Sequence, residues 1–174
     1  MIIIYIIFSI LLLFLFTVAI GAPYVPSRKR DFCQLLEQLN LNQEDVLVDA
    51  GSGDGKILRL VGPKIKRAIG YEINPVLVLI SRLLNLRHSN LEVCLADFGR
   101  VNLPSDVSVI YLFSAGIYLH RFLKPIINHV RSADGPVIVV SYGFKLDEIK
   151  VKPQIIGAYC VYKLDRASLP NSLS

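Results

Sequence analysis

The sequence predicts an α/β fold, doubly wound around a mostly parallel sheet and preceded by one transmembrane helix. Three observations carry this. Across residues 31–165, short runs of β-branched and aliphatic residues alternate with segments of helical period. That alternation is the pattern of a parallel sheet covered on both faces. The first such run breaks directly into a loop with glycine at every second position, Gly51, Gly53 and Gly55. Finally, residues 1–22 are dominated by Ile, Leu and Phe and hold no charged side chain.

The N-terminal run comes first. At ~1.5 Å per residue, about 20 helical residues cross a ~30 Å hydrocarbon core, so residues 1–22 suffice for a single pass. A cleaved signal peptide is the competing reading, because Ala19, Ile20 and Gly21 offer small residues near a cleavage point. Such a peptide has a basic start and a shorter apolar core, and no Lys or Arg precedes this run. Arg28, Lys29 and Arg30 follow it. The positive-inside rule then places the rest of the chain on the cytoplasmic side of the membrane. Residues 23–30, with Pro23 and Pro26, read as a short extended linker that keeps the globular domain, 31–165, close to the bilayer.

A chain of 174 residues has room for one such domain. The net charge of +5 suits anionic lipid head groups. The basic residues are scattered, with no aromatic-interleaved patch, so no nucleic-acid partner is expected. Cys33, Cys94 and Cys160 are odd in number and widely spaced, as reduced thiols would be. His88, His120 and His129 show no ligand grouping, and no metal site is expected.

Within 31–165 the elements follow in order. Phe32, Leu35, Leu36 and Leu39 give residues 31–41 a helical period, with Ser27 as a possible cap. Val46, Leu47 and Val48 read as a short buried strand ended by Asp49. A brief helix at 56–61 is stopped by Gly62 and Pro63. Residues 67–72 form a second strand ending in Glu72. Asn74 then caps a helix with Pro75 at its first position. Val76, Leu77, Leu79, Ile80, Leu83 and Leu84 make a wide apolar face on that helix. Further strands are expected at 91–96, 107–113 and 136–142. A helix at 118–130 should be kinked or split by Pro125. A hairpin from 149–156 and 158–164 closes the domain, followed by a polar tail at 166–174.

Ligands of such sheets bind outside the carboxyl ends of the strands. Three successive strand ends here carry a carboxylate: Asp49 before the glycines, Glu72, and Asp97 beside Phe98. The glycine loop lets the backbone approach a ligand closely, and the helix start after Gly55 aims free N–H groups at it. Glu72 lies about twenty residues past the loop, where a carboxylate can accept both hydroxyls of a ribose. Asp97 is placed to accept an exocyclic amine of adenine, with Phe98 covering the ring. The spacing is G-x-G-x-G and not the dinucleotide G-x-G-x-x-G, which disfavours a nicotinamide enzyme.

This arrangement resembles the class I S-adenosylmethionine (SAM)-dependent methyltransferases, whose sheet is Rossmann-like. The resemblance implies that the glycine loop passes under the amino-acid and ribose parts of SAM and that Asp49 helps hold the methionine ammonium. The implied SAM contacts are Asp49, Gly51, Ser52, Gly53, Gly55, Glu72, Ile73, Asp97 and Phe98. Pro23-Tyr-Val-Pro-Ser27, Gly70-Tyr-Glu-Ile-Asn74 and Val139-Val-Ser-Tyr-Gly-Phe144 extend the likeness over residues 23–164. With them the chain is similar to a small family of protein-lysine methyltransferases that has soluble archaeal and membrane-anchored mitochondrial members. In that family the leading segment folds over SAM, which adds Tyr24 and Ser27 to the implied contacts. Relatives commonly carry His where this chain has Tyr142.

Tyr111, Ser114 and Tyr142 lie at or near strand ends and are the candidates for orienting the acceptor. No Asp/Asn-Pro-Pro-Tyr follows the fourth strand, which argues against methylation of nucleic-acid base amines. The expectation is therefore a membrane-anchored methyltransferase acting on lysine of a membrane-associated protein. A lipid or small apolar acceptor, and a non-catalytic binding module, are the alternatives.

Overall fold

The structure is a computed structural model and describes residues 1–20, 29–113 and 116–169. Helix α1 (Ile2–Ile20) takes up most of the N-terminal apolar run. Its large side chains between Met1 and Leu12 are exposed, from 49% at Ile10 to 84% at Met1. Among the described residues no helix is long and apolar enough to cross a membrane. Residues 21 and 22 of the expected span lie outside them.

Helix α2 (Lys29–Leu39) leads into strand β1 (Val46–Ala50), which is buried along its whole length. Helix α3 (Lys56–Val61), strand β2 (Arg67–Glu72), helix α4 (Pro75–Asn85) and strand β3 (Leu91–Leu95) follow. Then come β4 (Val109–Leu112), α5 (Gly116–Ser132), β5 (Val137–Tyr142), β6 (Gln154–Ile156) and β7 (Tyr159–Leu164). The strands form one sheet in the order β3-β2-β1-β4-β5-β7-β6. β1 to β5 are parallel, and β7 runs antiparallel to both β5 and β6.

The period of two in a strand explains how the sheet is covered on both faces. Val46 and Val48 of β1 and Ile110 of β4 join Leu123, Ile126, Ile127 and Val130 of α5 in one apolar cluster. Their neighbours in sequence, Leu47 and Val109, point the other way. They pack with Phe32, Leu35 and Leu36 of α2, Ile57, Leu58 and Val61 of α3, and Val78 of α4. The carboxyl ends of β1, β2 and β3 are left at one rim, which is where the predicted site residues fall.

Two expectations change. Pro125 lies inside α5 without splitting it. Leu123, Ile126 and Ile127 on either side are at most 1% exposed, so packing holds the helix across the lost hydrogen bond. The expected polar tail opens with a capped turn: the Asp165 carboxylate accepts from Ser168 N–H, the Ser168 hydroxyl accepts from Asp165 N–H, and Leu169 is buried. The structure adds a direction to the wide apolar face of α4. That face does not meet the sheet. Val78, Ser81 and Asn85 face inward, whereas Leu79, Ile80, Leu83 and Leu84 are 40–59% exposed.

Candidate cofactor and active site

The loop after β1 is built from left-handed backbone. Gly51, Gly53 and Gly55 have φ of 82°, 56° and 76°. An L side chain is strained at such angles, so the glycines are a requirement of the turn. Gly55 is fixed twice over, because a Cβ there would lie 2.2 Å from Ser81 Oγ. At Gly51 the same test meets nothing within 4 Å, so this part of the loop faces open space.

The loop is anchored from β2. Gly51 and Ser52 N–H both donate to Tyr71 O, at 2.8 and 3.1 Å. Glu72 is 8% exposed and ties two loops together. Its Oε2 accepts from Gly53 N–H and its Oε1 from Asn74 N–H, each at 2.8 Å. Each carboxylate oxygen has two lone pairs, so both retain one for a ligand. Asn74 caps α4 as its sequence predicts, with Oδ1 accepting from Val76 N–H and Leu77 N–H.

Asp49 is 2% exposed and sits in register between Gly70 of β2 and Tyr111 of β4. Burial pushes its carboxyl up to about 8, and the nearby Glu72 and Asp54 carboxylates push in the same direction. A buried acid with two acids beside it is a place for a cation.

The sheet order, with its reversed β7, has counterparts among solved structures. An RNA methyltransferase from Salinibacter ruber, solved in complex with S-adenosyl-L-homocysteine, superposes with a TM-score of 0.71 at 23% identity. The match covers 86% of this chain and 99% of that one. The chain has the class I methyltransferase fold.

Sequence comparison adds relatives of one kind. Over 91 residues the chain is 32% identical to a human lysine N-methyltransferase named for a subunit of ATP synthase, covering 51% of this chain and 39% of that protein. Over 54 residues it is 37% identical to a protein-lysine N-methyltransferase of Saccharolobus islandicus, covering 30% of this chain and 34% of that one. The chain thus spans about two-fifths or less of the length of these curated relatives. No family model matches the chain.

In this methyltransferase fold the residues present fit SAM, whose methionine part carries an ammonium. Asp49 would face that ammonium, Glu72 the ribose hydroxyls, and the open backbone at Gly51 the chain between them. Ser52 is 7% exposed, and its Oγ is buried with no hydrogen-bond partner among the described residues, a polar atom left over at the same loop. Ile73 is 38% exposed beside Glu72 and offers apolar surface to a base.

The expected adenine end differs. Asp97 already accepts from Arg121 Nη2 and from Gly99 N–H at 3.1 Å, and Arg100 Nε lies 3.3 Å away. An adenine amine would have to share that carboxylate with two guanidinium groups. Phe98 does not cover a ring. It is 3% exposed in the core, 6.0 Å from Tyr71 and 5.1 Å from Phe122 between ring centroids.

The acceptor side also shifts. Tyr111 is a core residue, 1% exposed, with its ring edge-on to Phe32 at 5.2 Å. Strand alternation turns it toward α2 and away from the mouth. Tyr142 remains at the end of β5, half-buried, stacked on Phe113 at 4.6 Å and 26°. Phe144 is 42% exposed just beyond it. Phe113 was not among the expected site residues, although an aromatic immediately after the fourth strand was the available signal. Tyr24, Ser27 and Ser114 lie outside the described residues.

A polar cluster behind the loop was missed as well. Arg59 Nη1 donates to Asp54 O (2.6 Å) and Asn85 Oδ1 (3.3 Å), and its Nη2 to Asp54 Oδ2 (3.2 Å). Asn85 Nδ2 in turn donates to Ser81 Oγ at 3.3 Å. Ser81 and Asn85, four apart in a helix whose one other polar side chain is Arg82, were the trace of it. Together they fasten the glycine loop and α3 to the inner face of α4.

Proposed function

We propose that the chain is a SAM-dependent protein methyltransferase that modifies a lysine of a membrane-associated protein while anchored by residues 1–22. One observation carries the reading: a left-handed glycine loop whose Gly53 N–H is held by the Glu72 carboxylate, beside the buried Asp49. The relatives named for lysine methylation support the acceptor, and the ATP synthase component for which the human relative is named is the first protein to test. The anchor is supported by the uncharged run at 1–22 and by the exposed side chains of α1 between Met1 and Leu12.

When bound, SAM supplies an activated methyl group. Glu72 fixes the loop and accepts from the ribose. Asp49 balances the ammonium. The Phe113–Tyr142 stack, with Phe144, gives an apolar wall at the ends of β4 and β5. A lysine side chain entering there must shed its proton from a free pKa of ~10.4. Low polarity favours the neutral amine, and aromatic faces hold the cation before the proton leaves. Alignment and exclusion of water supply the rest of the rate.

Incubation of the full chain with methyl-labelled SAM and membrane extract tests this. The expected result is a labelled protein band that is lost with Glu72→Ala. Label that appears only in extracted lipid, or a band unaffected by Glu72→Ala, contradicts it.

A further inference from the structure

Helix α4 is inverted relative to an ordinary surface helix. Its inner face carries the polar pair Ser81 and Asn85, committed to Gly55 and Arg59 at the cofactor loop. Its outer face carries Leu79 (59% exposed), Ile80 (40%), Leu83 (58%) and Leu84 (52%), continued by Leu86 at 79%. Leu95, at the end of the neighbouring edge strand β3, is 55% exposed. A contiguous run of this kind has a use, because single exposed leucines are ordinary but clustered ones mark a contact surface.

Two observations say what covers it. From Ile73 to Leu91 the chain has no acidic residue, and of its two arginines Arg82 is tied to Val93 O through Nε and Nη2 at 3.0 and 2.8 Å while Arg87 follows the exposed Leu86. A long cationic side chain at the rim of an apolar helix face suits anionic head groups above an acyl layer. The second is the tether. α4 packs on the same face of the sheet as α2, the helix that follows α1. Eight residues separate α1 from α2, and at ~3.3 Å each they reach roughly 26 Å at most. A bilayer that holds α1 is therefore within about 26 Å of the start of α2, on the face of the sheet that α4 shares.

We infer that the outer face of α4 lies in the interfacial layer of an anionic bilayer, seated by Leu79, Leu83 and Leu86 with Arg87 at the head groups. This rests on the anchored reading above. α4 then acts as a keel: its inner face holds the glycine loop, and its outer face sets the orientation of that loop to the membrane. An acceptor lysine is reached only at the height this orientation fixes. Seating depths for such helices are about 5–10 Å below the head groups.

The chain has no tryptophan, so an introduced one reports alone. Full-length Leu83→Trp, and Leu79→Trp as a second position, are reconstituted in vesicles of zwitterionic and anionic phosphatidyl lipids. The expected result is blue-shifted emission that is quenched by lipids brominated near the head group more than by lipids brominated deep in the chain. The quenching should weaken when the anionic lipid is left out. Emission as in water, with no quenching, overturns the proposal. Blue-shifted emission that neither brominated lipid quenches also overturns it, because protein, whether α1 or a second copy, then covers the face. Flotation of the wild-type chain with the vesicles at high salt separates the two readings. A chain that floats with an unquenched probe loses only the α4 contact, and one that does not float loses the anchor with it.

Discussion

Glu72 and Asp49, two acids at the glycine loop, are held by opposite means. Glu72 is held ready by two N–H donors, so its carboxylate is spoken for on one side and open on the other. Glu72→Ala leaves both N–H groups without that partner, at about 1–3 kcal/mol each where buried. Calorimetry should show SAM affinity reduced by at least about tenfold, since each 1.4 kcal/mol is a decade. Asp49 is strained by burial: its carboxyl rises from 3.8 to about 8 in the folded chain. A raised folded value means the stability from the protonated form is complete below about 4 and is lost as pH climbs through about 8. A ligand ammonium reverses the preference by favouring the carboxylate. SAM affinity should therefore rise with pH toward about 8, by at most about tenfold per unit for one proton. Calorimetric titration across that range checks it, and Asp49→Asn should flatten the slope. Both acids were legible in the sequence as polar strand ends. The roles of Asp97 and Phe98 were not, because Arg121 reaches Asp97 from another element and the core takes the Phe98 ring.

Helix α4 shows where periodicity reaches its limit. The pattern of Leu and Ile gave a helix from Asn74 onward with a wide apolar face but did not say where that face points. A helix apolar on most of its circumference does not say which side is inside, and the close approach of Gly55 to Ser81 decides it. The outcome is measurable by stability. Val78→Ala, at a site 3% exposed, should cost about 1–3 kcal/mol. Leu83→Ala, at 58% exposure, should stay within about 0.5 kcal/mol in detergent. Equal losses in denaturant melts would contradict the inverted packing. Gly55→Ala belongs to the same element: a left-handed φ and a 2.2 Å clash predict a loss of several degrees in Tm, for about 1–3 kcal/mol. Strands were easier to read than helices here. β1 opens with the apolar run Val46–Val48 and β5 with Val137–Val140, the pattern of strands buried on both faces.

The molecule as a whole is one sheet covered on both faces, with Asp49 and Glu72 at its rim of strand ends on the side of α2, α3 and α4. The fold was legible because each level agreed: strand runs, capping at Asn74, and glycines where φ is positive. The proposed acceptor wall was not, since Phe113 and Tyr142 stack only after β4 and β5 pair. The measurement that bears most directly on the central claim is methyl transfer by the full chain in vesicles holding the ATP synthase component for which the human relative is named, read by peptide mass spectrometry. Methylation on a lysine, dependent on SAM and abolished by Glu72→Ala, is the predicted result. An unmodified lysine with SAM bound, or methyl groups only on lipid, would contradict it.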